Sequence, residues 1–256
     1  MSNIKKAFEQ GTALIPFITC GDPDLETTAA AVCAAAEQGA DLIELGIPFS
    51  DPAAEDPAIQ ESSLRALKGG VTTDQIFHLV KKLRSSVSIP MVFVTYSNMV
   101  FSYGAERFLS TCKEVEIDGL ILLDLPFEEK EEFLPLCHTY GVDLISIIAP
   151  ESQNRISMIA KEGEGFLSLL SIPNPTETEH ERTLALASAV EIIRRSAQVP
   201  CVIHAGITTL EQVRKMGKIS DGLIVDLPIA RLLETHGKNA PGYIGQYIKS
   251  MKDCMR

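Results

Sequence analysis

The sequence predicts an α/β chain folded as a closed (β/α)8 barrel, and three observations carry that expectation. Short apolar runs recur along the chain, each followed by a segment with helical periodicity. Eight such units fit within 256 residues, the count and size of a barrel of this kind. The main rival, an open doubly wound sheet, usually carries a glycine-rich fingerprint after its first strand. Here that place reads Thr19-Cys-Gly-Asp-Pro-Asp, with no G-x-G-x-x-G.

The predicted strands are Ala13–Ile18, Asp41–Leu45, Pro90–Thr95, Gly119–Leu123, Val142–Ile147, Gly165–Leu170, Val199–Ile203 and Gly222–Val225. They are almost continuously apolar instead of alternating, as parallel strands buried on both faces are. Predicted helices occupy Leu25–Gln38, Thr73–Arg84, Ala105–Glu114, Glu128–Tyr140, Gln153–Lys161, Leu184–Arg195 and Leu210–Met216. Asp24 and Thr73 are the expected N-caps of the first two. Gly39, Gly104, Gly141 and Gly217 punctuate element boundaries. Two connections are long, one after the second strand (Gly46 to Gly70) and one after the sixth (Ser171 to Thr183). Both leave strand C-terminal ends, the barrel face where chemistry is found. No linker or low-complexity tract interrupts the pattern, so residues 1–256 are expected to form a single domain.

Composition excludes several classes of function. Hydrophobic residues make up 45% of the chain and charged residues 22%, enough for a sizeable core and unlike disorder. With 34 acidic against 23 basic residues the formal charge is −11, which disfavours nucleic acid and anionic lipid as partners. The same field discourages a phosphorylated ligand unless helix ends and backbone N–H groups overcome it locally. The start, MSNIKKAFEQ, lacks the apolar run of a signal peptide, and no stretch approaches the roughly 20 apolar residues of a membrane helix. Six scattered cysteines without a C-x-x-C pair point to free thiols. A cytoplasmic protein is expected, with no metal site, since neither H-x-E nor H-E-x-x-H spacing occurs.

Several residues stand where a barrel does chemistry. Glu44 lies inside the apolar run Asp41-Leu-Ile-Glu-Leu-Gly, where desolvation raises a carboxyl toward a useful proton-transfer range. The following loop supplies Asp51, Glu55 and Asp56, any of which could join Glu44 in a two-carboxylate site. Asp124 follows the fourth strand, and reads equally as a site residue or a structural acceptor. His204 follows the seventh strand directly and is the histidine expected to face a pocket, whereas His180 falls in the second long loop.

The motifs in these loops resemble those of the tryptophan synthase alpha chain family. They are Leu14-Ile-Pro-Phe-Ile-Thr-Cys-Gly-Asp-Pro, Glu44-Leu-Gly-Ile-Pro-Phe-Ser-Asp-Pro, Thr95-Tyr-Ser-Asn, Gly119-Leu-Ile-Leu-Leu-Asp-Leu-Pro and Ile203-His-Ala-Gly-Ile-Thr-Thr. The resemblance implies a TIM barrel that cleaves indole-3-glycerol phosphate by a retro-aldol reaction to indole and glyceraldehyde 3-phosphate. It implies no cofactor in this chain, and a beta-chain partner that carries pyridoxal phosphate and receives the indole. Glu44 matches the family's catalytic glutamate, and Glu55 an aspartate that hydrogen-bonds the indole N–H. Phe17 and Tyr96 match walls of the indole pocket, and Asp124 and Gly206 further substrate-binding positions. Thr176 matches a threonine of the loop after the sixth strand. Asp51, Pro52 and Asn98 match positions that meet the beta chain.

The resemblance fails at the phosphate subsite. Where the family has G-V-T-G in the sixth loop this chain reads Asn174-Pro-Thr-Glu, placing Glu177 at a phosphate-facing glycine. G-F-G-I becomes His204-Ala-Gly-Ile, keeping only Gly206. G-S-A-I becomes Asp226-Leu-Pro-Ile, so Leu227 brings no hydroxyl, Pro228 no N–H, and Asp226 adds negative charge. Ser168 stands where the family has a tyrosine, and Asp56 replaces a glycine. Three readings follow: a lyase with an unusual phosphate grip, a catalytically impaired subunit that activates a beta chain, or a barrel retuned for a ligand without phosphate.

Overall fold

The computed structural model describes residues 2–150, 153–171 and 178–255. Its strands are β1 (Ala13–Thr19), β2 (Ile43–Gly46), β3 (Met91–Thr95), β4 (Gly119–Leu122), β5 (Asp143–Leu144), β6 (Ile147–Ile148), β7 (Leu167–Leu170), β8 (Cys201–His204) and β9 (Gly222–Val225). All pair in parallel, in the order β5-β4-β3-β2-β1-β9-β8-β7-β6. The two ends of that order are consecutive in sequence. Ile145 N–H donates to Leu120 O at 2.9 Å on one side, and Ser168 N–H donates to Ser146 O at 3.1 Å on the other. The fifth predicted strand therefore bonds β4 with its first half and β7 with its second, and the barrel closes through it.

Alternation along the strands sorts side chains into two apolar layers. Leu14 and Ile18, Ile43 and Leu45, Met91 and Phe93, Leu167 and Leu169, and Leu223 and Val225 pack outward under the helices. Ala13, Ile15, Phe17, Val92, Val94, Ile121, Val202 and Ile224 fill the interior. Ile4, on a short 3-10 turn at Ile4–Phe8, joins the interior cluster. This alternation decides where Glu44 points. Ile43 and Leu45 on either side of it face the helices, so its carboxylate is turned into the barrel. Ser168, between Leu167 and Leu169, is placed by the same rule, and so are His204 after Ile203 and Asp226 after Val225.

The helices are α1 (Leu25–Glu37), α2 (Pro57–Lys68), α3 (Thr73–Leu83), α4 (Ser97–Tyr103), α5 (Ala105–Glu114), α6 (Leu134–Tyr140), α7 (Gln153–Lys161), α8 (Glu179–Ser196), α9 (Leu210–Gly217), α10 (Leu227–His236) and α11 (Ala240–Met255). Asp24 caps α1 through Thr27 N–H, but α3 is capped by Thr72, one residue earlier than expected, in a capping box with Gln75. The predicted helix Glu128–Tyr140 is interrupted: a 3-10 turn covers Phe127–Glu132 and α6 starts afresh with Pro135 in its first turn. The long connection after β2 is not a plain loop, because α2 occupies half of it, capped by Asp56 with Pro57 at its first position. Likewise α8 starts earlier than expected, with Thr178 and Glu181 forming a capping box, which puts His180 on the helix and not in the loop. No helix of the described residues is long and apolar enough to cross a membrane.

Candidate active site

The C-terminal end of the barrel holds a cavity of about 350 Å³. One side is apolar, made by Phe17 of β1, Val94 of β3, Ile121 of β4, Ile59 of α2, and Leu123 and Ile147. The other side is polar, made by Ser168 and Ser171 at the end of β7, His204 of β8, and Asp226 just past β9. Glu44 and the loop residues Ala53 to Pro57 complete it. Phe17 and Glu44 are register neighbours across the β1–β2 ladder. The bare Gly46 at the end of β2 lets the Phe17 ring lie where it does, since a Cβ there would sit 2.5 Å from the ring.

Glu44 is 1% exposed, and its Oε1 has no hydrogen-bond partner. Burial pushes its carboxyl up to about 7, partly offset by His204 and reinforced by Asp226. Glu55 is pushed up to about 7 as well, again chiefly by burial. The Tyr96 hydroxyl donates to Glu55 Oε2 at 3.4 Å and accepts the Ala54 N–H at 3.2 Å, so Tyr96 fixes the loop that carries Glu55. Phe49 stacks on the Tyr96 ring with centroids 4.8 Å apart.

His204 and Asp226 form an ion pair with Nε2 and Oδ2 2.7 Å apart. Burial opposes the charge on each. The pairing prevails: the imidazole is held above its ordinary value, with Glu44 and Glu55 adding to the effect, and the Asp226 carboxyl below its own. Asp226 Oδ1 also accepts the Leu227 N–H at 2.7 Å and thereby caps α10.

Of the residues singled out in the sequence, Phe17, Glu44, Glu55, Asp56, Ser168, His204, Gly206, Asp226 and Leu227 meet around this one cavity. Tyr96 stands behind Glu55. Asp124 stands apart: it is exposed and accepts the Ser97 N–H at 2.7 Å at the start of α4, the structural alternative left open for it. Asp51 and Asn98 are exposed, whereas Pro52 is buried within its loop. Thr176 and Glu177 lie outside the described residues. Among the described residues no group of three or more His, Cys, Asp or Glu side chains is arranged to hold a metal ion. Ser171 and Ile59 line the cavity without having been singled out. Ile59 falls in the predicted connection from Gly46 to Gly70 and so goes unmarked, although the N-cap of α2, Asp56 followed by Pro57, is a readable helix start.

Comparison with known proteins agrees with this architecture. The sequence model of the tryptophan synthase alpha chain family matches residues 2–253. The chain belongs to the tryptophan synthase alpha chain family. A tryptophan synthase alpha chain from Lacticaseibacillus casei is 40% identical over 98% of this chain and 95% of its own length. A solved structure from Aquifex aeolicus superposes with a TM-score of 0.90 at 30% identity, covering 100% of both chains. The tryptophan synthase complex from Pyrococcus furiosus contains a chain with a TM-score of 0.86 and 29% identity, covering 95% of this chain and 98% of its own. Members of the family are TIM-barrel lyases that cleave indole-3-glycerol phosphate to indole and glyceraldehyde 3-phosphate. They carry no cofactor and pair with beta chains that hold pyridoxal phosphate.

Proposed function

We propose that this chain is a carbon–carbon lyase that releases indole from an indole-3-glycerol framework, with Glu44 as general acid and base and Glu55 as its partner at the ring nitrogen. The observation that carries the reading is the buried, unpartnered Oε1 of Glu44 in a cavity it shares with a second carboxyl, both pushed up to about 7. A carboxyl poised there can give up a proton and take one back near neutral pH. The flat apolar side, Phe17 with Val94 and Ile121, suits an aromatic ring, and the serines and His204 opposite suit a hydroxylated tail.

The proton inventory closes without any other group. Neutral Glu44 protonates the ring carbon that bears the side chain, while ionised Glu55 takes the ring N–H proton. Glu44, now a carboxylate, removes the proton of the adjacent side-chain hydroxyl. The carbon–carbon bond breaks, the hydroxyl carbon becomes an aldehyde, and the bonding pair returns to the ring. Glu55 then gives back the nitrogen proton. Both carboxyls end in the state in which they began. The ring and tail are brought into line by Phe17, Tyr96 acting through Glu55, and the backbone around Gly206.

The same reading gives the chain a pyridoxal-phosphate beta chain as partner, with exposed Asp51 and Asn98 at the rim and Pro52 shaping their loop. It makes residues 1–256 one domain working in the cytoplasm. The test is indole release by the purified chain and its Glu44→Gln variant. Loss of release with folding retained supports the role of Glu44, and unchanged release refutes it.

A further inference from the structure

The start of α10, at the polar end of the cavity, offers an anion little. Each N–H group in the first turn of α10 is already engaged or missing. Leu227 N–H bonds Asp226 Oδ1, Pro228 has none, and Ile229 and Ala230 N–H groups both bond the Asp226 carbonyl at 3.0 Å. The charge that a helix N-terminus would offer a phosphate is met by the chain's own carboxylate. The imidazole of His204 is directed at that same carboxylate, 2.7 Å away. Neither lysine nor arginine is among the described residues that line the cavity, whereas four carboxyl-bearing residues, Glu44, Glu55, Asp56 and Asp226, do line it. A dianion would have to displace Asp226 from His204 and Leu227, or lie against its carboxylate.

We propose that Asp226, locked by His204, is a specificity-determining residue that rejects a phosphorylated tail and selects an uncharged polyol on the aromatic ring. This rests on the lyase reading above and names its substrate class: indole-3-glycerol itself, not the phosphate ester. The rejecting element is the Asp226 carboxylate, which already occupies the His204 imidazole and the first N–H of α10 and so denies both donors to a phosphate while leaving an uncharged tail unaffected. The hydroxyls of Ser168 and Ser171 on the same wall can donate to and accept from the hydroxyls of such a tail. Binding the uncharged tail leaves the His204–Asp226 pair and the cap on α10 intact.

The experiment compares indole-3-glycerol with indole-3-glycerol phosphate on the full chain. It measures kcat/KM for indole release, and binding of both compounds to Glu44→Gln by calorimetry. The wild type is expected to favour the uncharged compound by roughly a hundredfold, about 2.7 kcal/mol. Asp226→Asn, which keeps an acceptor for Leu227 N–H and removes the charge, is expected to shrink that preference to tenfold or less, a change of about 1.4 kcal/mol or more. Equal or better use of the phosphorylated compound by the wild type overturns the proposal, whatever the variant does. If neither compound is cleaved, the lyase reading falls, and the calorimetric ratio still decides selectivity. Tighter binding of the uncharged compound supports it; tighter binding of the phosphorylated one, or no binding of the uncharged one, overturns it.

Discussion

Replacing Glu44 by Gln separates the chemistry of this site from its cost to the fold. The substitution preserves shape and removes the group that protonates the ring carbon and deprotonates the side-chain hydroxyl, so turnover should fall roughly a hundred- to ten-thousand-fold. Stability should move the other way once pH rises above the unfolded carboxyl's value. The Glu44 carboxyl is raised from 4.5 to about 7 by burial. A raised carboxyl is neutral in both states below its unfolded value, and there wild type and variant should be equally stable. As pH climbs from the unfolded value to the folded one, the unfolded chain ionises while the folded wild type still holds its proton, so the wild type loses stability across that window and keeps the deficit above it. By pH 9 that difference amounts to about 3 kcal/mol. For a chain of this size each kcal/mol corresponds to roughly 2–4 °C of Tm, so Glu44→Gln should melt several degrees above wild type at pH 9 and level with it at about pH 3.5. Thermal unfolding by circular dichroism across that range, beside an indole-release assay, reads both effects. A Tm difference that does not vary with pH, or unimpaired turnover, would refute the assignment of Glu44 as a desolvated acid and base.

Other outcomes follow from neighbouring contacts. The pH profile of kcat/KM should be bell-shaped and centred near 7, because a neutral Glu44 and an ionised Glu55 are both required and both titrate there; a flat profile from pH 5 to 9 would contradict it. Gly46→Ala should raise KM more than it lowers kcat, since the new Cβ would meet the Phe17 ring at 2.5 Å and push it into the cavity; unchanged KM would mean that the ring is no wall of the substrate site. Arg65→Ala should destabilise the fold by about 3 kcal/mol or more, because it strips the fully buried Asp22 carboxylate of its bidentate partner and leaves it only Ser62. A denaturant midpoint close to wild type would count against that pair as a structural requirement.

Much of this was legible in the sequence because its carriers are local. The eight apolar runs announce parallel strands, and all eight occur within a residue or two of their predicted places, the fifth divided by the switch from one neighbour to the other. Glu44 could be picked out because a carboxylate in an apolar run breaks a pattern, and the period of two then turns it inward. His204 stood out by following a strand directly. What could not be read depended on distance. Nothing near Asp226 in sequence reveals that His204, 22 residues earlier, will hold its carboxylate, or that the same carboxylate will cap its own helix. No helix is predicted at α2, α4, α10 or α11, although Asp-Pro at 56–57 and Asp-Leu-Pro at 226–228 are readable helix starts. Asp124, an acid past a strand end, reads equally as a site residue or a structural acceptor, and only the fold shows its carboxylate accepting the Ser97 N–H at the start of α4.

The central claim is that this cavity releases indole through Glu44. It is tested most directly by incubating the purified chain, without a beta chain or added cofactor, with indole-3-glycerol and with its phosphate, and measuring indole and aldehyde together. Equimolar indole and aldehyde, abolished in Glu44→Gln and greater from the uncharged compound, is the result expected. No indole from either compound, or indole in the same amount from the variant, would contradict it.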